Sequence, residues 1–164
     1  AKAVVQMTLT TYDEELCRKI EPHVSTTRDR FEVLMRCKEL GIPTLVWMTP
    51  ILPFINDTRE NIEGLLDYCL LAGVQGILVF DVGVTLREGD REYFYQALDR
   101  DFPGIRQKYI STYGNAYDIP SPYAKELMAL IQNTCTANGM LCSPKECFTY
   151  LHEFPERYVQ QTLF

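Results

Sequence analysis

Gly76-Ile77-Leu78-Val79-Phe80-Asp81 carries no polar side chain until its terminal carboxylate. Such a run marks a strand buried on both faces of a parallel sheet, with helices covering each side. Upstream of it, Asp57-x-x-Glu60 opens a helix with Ile62, Leu65, Leu66, Cys69 and Leu70 on one face, and Gly73 ends it. A second strand, Thr44-Leu45-Val46-Trp47-Met48, is entered from Pro43 and closed by Pro50 and Pro53, because proline donates nothing to a central ladder. Before it, Ser25 or Thr26 caps a helix with Phe31, Leu34, Met35 and Leu40 near one face, stopped by Gly41. Thr11-x-x-Glu14 matches a capping box for a short helix ending by Pro22. Residues 3 to 10 have the β-branched, apolar bias of a first strand.

Downstream, Asp90 opens a helix with Phe94, Ala97 and Leu98 that ends before Pro103. Ser121-Pro122 starts another, with Leu127, Leu130 and Ile131 on one face up to Gly139. Ser143-Pro144-Lys145-Glu146 starts the last with a full capping box, and Pro155 stops it.

Strand starts near 3, 43 and 75 are separated by one βα unit each, so the expected class is α/β. The arrangement is half a barrel or a small open sheet, with the site at the strands' C-terminal ends, at residues 8–11, 48–53 and 80–85. A strand-like start without a methionine suggests a fragment whose preceding half is missing. The expected division is three βα units over residues 1–102 and a helical extension over 103–164 packed on them.

The 164 residues are 46% hydrophobic and 23% charged, the composition of a soluble globular domain. No apolar run is long enough to span a membrane, and residues 1–5 lack the blocks of a signal peptide. Six cysteines in a chain of this length read as reduced thiols, which points to the cytoplasm. The net charge of −6 is local, since residues 57–101 hold 10 acidic and 4 basic side chains while the remainder holds 12 of each. No basic face is left for non-specific grip on nucleic acid. Residues 18–38 form the basic exception, with six basic against three acidic groups, and would meet an anionic ligand.

The sequence contains no Gly-rich phosphate loop, dinucleotide fingerprint or Ser-His-Asp pattern. Cys135-x6-Cys142-x4-Cys147-x4-His152 has soft-metal ligands at a spacing that matches no short motif, so no stoichiometric metal is expected. Thr8 and Thr10 end the first strand, where a β-branched residue needs no further explanation. Arg28 and Arg30 near a helix N-terminus oppose its dipole, which fits a ligand, a partner carboxylate or plain solvation. Asp81 ends a wholly apolar strand, so it is either a site carboxylate or a hydrogen-bonded strand end.

Taken in order, Gln6-Met7-Thr8-Leu9-Thr10-Thr11, Glu21-Pro22, Arg30-Phe31, Gly41-Ile42-Pro43 and Thr49-Pro50-Ile51-Leu52-Pro53 with Asn56-Asp57 resemble the second half of a radical S-adenosylmethionine enzyme. The spore photoproduct lyase-like group, also called DNA repair photolyase-like, is the nearest in pattern, and residues 98–117 resemble its C-terminal helices. The resemblance implies the last three βα units of a partial (β/α)6 TIM-like barrel. It implies a [4Fe-4S] cluster on a Cys-x3-Cys-x2-Cys motif, a motif this sequence lacks. In that family cleavage of the sulfonium yields a 5′-deoxyadenosyl radical that abstracts a substrate hydrogen.

By the same resemblance Thr8 and Thr10 contact the methionine or ribose part of the cofactor, and Arg30 meets the methionyl carboxylate. Thr49 and Pro50 flank ribose and adenine, and Phe80 and Asp81 lie at the last strand's end. Without the cluster cysteines the chain alone is expected to be inactive and to bind no cofactor. Its substrate is left open, with DNA reached only through the missing half. The open edge of the first strand is the expected route to dimerisation. Two alternatives stay open on the residues themselves: another βα-barrel enzyme of aldolase or hydrolase type using Asp81, and a non-catalytic open-sheet binding domain.

Overall fold

The apolar run at 76–81 enters a parallel sheet through Gly76–Leu78 alone, and Phe80 and Asp81 lie exposed past the strand's end. The structure, a computed structural model, describes residues 3–153. In chain order its elements are β1 (Val5–Thr8), α1 (Glu14–Ile20), α2 (Thr27–Glu39), β2 (Thr44–Trp47), α3 (Arg59–Ala72) and β3 (Gly76–Leu78). They continue as β4 (Gly83–Thr85), α4 (Asp90–Asp101), α5 (Ile105–Tyr113), β5 (Asp118–Pro120), α6 (Ala124–Ala137) and α7 (Pro144–His152). The fold is mixed α/β, and no closed barrel is present among the described residues. Pro155 lies outside them.

The sheet order is β1-β2-β3, all parallel, with Val5 opposite Thr44, Thr8 opposite Trp47 and Trp47 opposite Leu78. Its two faces separate by alternation. Met7, Leu9, Val46, Met48, Ile77 and Val79 face the main core with Leu34, Ile62, Leu65, Leu127 and Ile131 from α2, α3 and α6. Leu45, Trp47 and Leu78 face the other way, where Cys147, Phe148 and Leu151 of α7 cover them. Both faces of β3 are therefore buried. Its outer edge is met by Leu141, whose carbonyl accepts from the Ile77 amide at 2.8 Å while its own amide donates to Gln75 O at 2.9 Å. On the side of β1 away from β2, no partner strand is present among the described residues.

A second, smaller core joins α4, α5, β4 and β5. Leu86, Tyr95, Leu98, Tyr109 and Ile119 are buried there with Phe54, Phe94 and Phe102 packed around them. Gly83 lets β4 and β5 approach, since a Cβ at that position would lie 2.5 Å from Ile119 O. No helix among the described residues is long and apolar enough to cross a membrane.

Several caps differ from the sequence expectation. Asp13, not Thr11, caps α1, accepting from the Leu16 amide at 2.7 Å. Thr58, not Asp57, caps α3. Both displaced residues are buried and bond far along the chain, Thr11 to Asn56 and Asp57 to Ser121, so the polar side chain nearer each helix start does the capping. Thr26 caps α2 as expected and completes a capping box with Asp29. The Asp29 carboxylate is held below its usual range by the Thr26 amide and hydroxyl. Leu40 is the C-cap of α2 and is 57% exposed instead of joining the core. Ser143 makes no side-chain cap bond to α7, where Pro144 already occupies a position whose amide would be unsatisfied.

Candidate functional site at the strand ends

β1 ends in a charged network. Arg30, on the second turn of α2, donates from Nη1 to Thr8 O at 3.1 Å and from Nη2 to Glu21 Oε2 at 2.6 Å. Thr10 donates its hydroxyl to Glu21 Oε1 at 2.8 Å. The Arg30 side chain is only 12% exposed, so its charge needs the Glu21 carboxylate it holds. Arg28 behaves differently: its guanidinium is exposed and 3.7 Å from Glu32. Thr8 itself is exposed, whereas Thr10 is buried.

Two asparagines bind this strand end to the loop after β2. Asn56 accepts from the Leu52 amide at 2.6 Å and donates to Thr10 O and to Thr11 Oγ1, both at 3.0 Å. Asn61 donates to Thr10 O at 2.9 Å and to Asn56 O at 2.8 Å, and accepts from the Tyr12 amide at 2.6 Å. Sequence reading treated Asn56-Asp57 as a helix cap. The side chains instead join segments some 45 residues apart, and no local spacing signals that.

Thr49, Pro50, Phe80 and Asp81 line one cleft of about 440 Å³ at the ends of β2 and β3. Its opposite wall is the antiparallel β4–β5 pair, through Gly83, Val84, Thr85, Asp118, Ile119 and Pro120. The Thr49–Pro50 peptide is cis. Phe80 is 57% exposed and stands 6.1 Å from Trp47 and 6.5 Å from Phe148, ring centre to ring centre. Trp47 is oriented by a hydrogen bond of 2.9 Å from Nε1 to Gln6 Oε1. Asp81 accepts from the adjacent Val82 amide at 2.7 Å, a local turn instead of a bond to the next strand end. Among the described residues lining this cleft two are acidic and none is basic.

The seven residues expected at the site thus fall into two adjoining groups, both at the C-terminal ends of the strands. Thr49, Pro50, Phe80 and Asp81 share the cleft, while Thr8, Thr10 and Arg30 share the network on β1. Glu21, Asn56, Gln6, Trp47 and Asp118 were not singled out from sequence as site residues. Period-two alternation with the register places Gln6 and Trp47 on the α7 face, and was the one usable signal for them.

Behind the loop, Asp57 is 3% exposed and accepts from Ser121 Oγ at 2.6 Å. Burial raises its carboxyl pKa above the ordinary value, opposed by the Ser121 hydroxyl and nearby amides. Tyr109 donates to Pro53 O at 2.7 Å, and burial pushes its phenol upward. Loop 49–57 is therefore held from both cores.

No family model and no solved structure matches the chain. Its relatives include an uncharacterized protein of Mycobacterium bovis and two uncharacterized proteins of Mycobacterium tuberculosis. Each is 29% identical to it over 123 residues, covering 75% of this chain and 36% of the relative. The chain thus spans little more than a third of the length of these curated relatives.

Proposed function

We propose that this chain is the C-terminal half of a cytoplasmic radical S-adenosylmethionine enzyme, with β1–β3 as the last three strands of a partial barrel. The observation that carries the reading is the cleft at the strand ends. Four of the seven residues assigned to the cofactor line it together. Pro50 and the exposed Phe80 ring offer a flat apolar face for adenine. Asp81 and Asp118 supply acceptors for ribose hydroxyls and a negative field suited to a sulfonium cation. That same field disfavours phosphate, so a nucleic-acid substrate would be gripped by other residues. Six free thiols support the cytoplasm as the compartment.

In this reading Arg30 neutralises Glu21, fixes the end of β1, and turns its remaining donors to the methionyl carboxylate. Glu21 orients the Thr10 hydroxyl. When bound and reduced, S-adenosylmethionine supplies a carbon-centred radical; the chain's own residues bind and orient it. The residues present do not fit an iron–sulfur cluster. The sequence has no Cys-x3-Cys-x2-Cys motif, and Cys147 stands beside Gly76, at the wrong end of β3 for this site. The cluster ligands therefore belong to residues outside these 164.

The test uses the longer protein that this reading requires, with its cluster assembled. Arg30→Ala is expected to weaken S-adenosylmethionine binding by about 1.5–3 kcal/mol, roughly 10- to 150-fold, with iron content unchanged. Arg28→Ala should have much less effect. Equal affinity in the Arg30 variant, or a longer protein that assembles no cluster, would contradict the proposal.

A further inference from the structure

Four of the six cysteines gather where α3, α6 and α7 meet the outer edge of β3, away from the strand-end cleft. Cys69 and Cys135 are fully buried in the main core, with Cys142 packed against it partly exposed. Cys147 is buried on the other face and directs its thiol to Ile77 O at 3.8 Å. The Cys135 and Cys142 thiols act on one another electrostatically, which raises the buried Cys135 and lowers Cys142. They flank the turn after α6, in which the Met140 amide returns to Cys135 O at 2.9 Å and Gly139 takes a φ of 68°. Leu141, which covers the edge of β3, lies inside that turn.

These thiols differ in what they can do. A thiol reacts with peroxide as thiolate and only where the oxidant reaches it. Cys142 meets both conditions: it is the partly exposed member of the pair, and its interaction with the Cys135 thiol holds its pKa below the ordinary thiol value. Burial pushes Cys69 up to about 12 and Cys147 up to about 11, and Cys135 is raised by its interaction with the Cys142 thiol and by burial. Cys135 is poorly placed to attack peroxide and well placed to attack a neighbouring sulfur.

We propose that Cys142 is a peroxide-reactive thiol and Cys135 its resolving partner, so that oxidation closes a disulfide across the α6–α7 turn. The Cys142 thiolate attacks one peroxide oxygen, the O–O bond breaks, and the departing oxygen leaves as water after protonation, giving Cys142 sulfenic acid. The Cys135 sulfur then attacks the Cys142 sulfur, the S–O bond breaks, and the hydroxide leaves with the Cys135 proton as water. Two thiols and one hydrogen peroxide become one disulfide and two waters, and thiol reductant reverses the change. The link fastens the segment that carries Leu141 to the end of α6, tying the cover of the β3 edge to redox state.

The reduced 164-residue chain treated with hydrogen peroxide is expected to lose about 2 Da and regain it with dithiothreitol, and a non-reducing digest should join residues 135 and 142. Cys142→Ser should form no link. Cys135→Ser should leave a sulfenic acid on Cys142 that dimedone traps. Should the buried Cys135 variant not fold, alkylation of the wild-type chain decides: Cys142 should react about tenfold faster than any other cysteine. A link to Cys147 or Cys69 instead, or a Cys142 no more reactive than the rest, would overturn the proposal.

Discussion

The two walls of the strand-end cleft are stabilised by different means. The β1–β3 wall rests on aliphatic burial, with Leu9, Leu45, Val46, Leu65 and Ile77 all at or near zero exposure. The β4–β5 wall rests on aromatic rings and a few long-range polar contacts. Phe54 and Phe94 stand 5.6 and 5.4 Å from Tyr109, both edge-on. Arg91 gathers the Leu86 and Ala116 carbonyls at 3.1 and 2.6 Å. Aliphatic packing is dense and non-directional, whereas the second wall depends on individual donors and ring orientations. The difference makes the strand-end platform rigid and the facing wall easier to loosen.

The largest effect expected from breaking this contrast is Leu65→Ala. It removes a fully buried side chain from the first wall and should cost about 2–5 kcal/mol in denaturant unfolding. An unchanged midpoint would contradict its place in the core. Tyr109→Phe should cost less, about 1–3 kcal/mol, by leaving the buried Pro53 carbonyl without its donor. Hydrogen exchange should quicken in residues 53–57 and the β4–β5 pair while β1–β3 keep their protection. A uniform loss would show the two walls to be one cooperative unit.

The smallest effect concerns pH. Because burial raises the Asp57 pKa, the folded chain holds that proton more tightly than the unfolded one. Its contribution to stability falls as pH rises from the unfolded carboxyl range near about 4 through the raised folded value, and the penalty persists above it. Asp29, held down by Thr26, runs the opposite way and loses its contribution as pH falls. Asp57→Asn should therefore flatten only the descending part, read as the difference between variant and wild-type stability across pH 4–8. A difference independent of pH would remove the buried carboxylate from the account.

The first wall was legible in sequence and the second was not. The apolar run at 76–79 and the i, i+3, i+4 pattern over 62–70 report burial directly, because each residue's neighbours along the chain share its environment; Phe80, exposed past the strand's end, does not follow. β4 and β5 have three residues each and pair across some 35 positions, which leaves no periodicity to read. The same limit explains the site. Thr49, Pro50, Phe80 and Asp81 could be placed because strand ends are predictable from strands. Glu21 meets Thr10 and Arg30 about ten residues away at no strand or helix period, Asn56 bonds some 45 residues away, and Asp118 reaches the cleft only through the β4–β5 pairing; Thr11 and Asp57 have a local explanation as caps that the structure does not follow.

The central claim is that the mouth formed by β1–β3 and the β4–β5 pair receives S-adenosylmethionine. Hydrogen–deuterium exchange of the longer, cluster-containing protein with and without that cofactor tests it most directly. The account predicts slowed exchange at residues 8–10, 46–50 and 78–83, with the α6–α7 turn unchanged. Protection absent from all three strand ends, or confined to surfaces elsewhere such as the pocket beside Tyr12 and Tyr68, would contradict it.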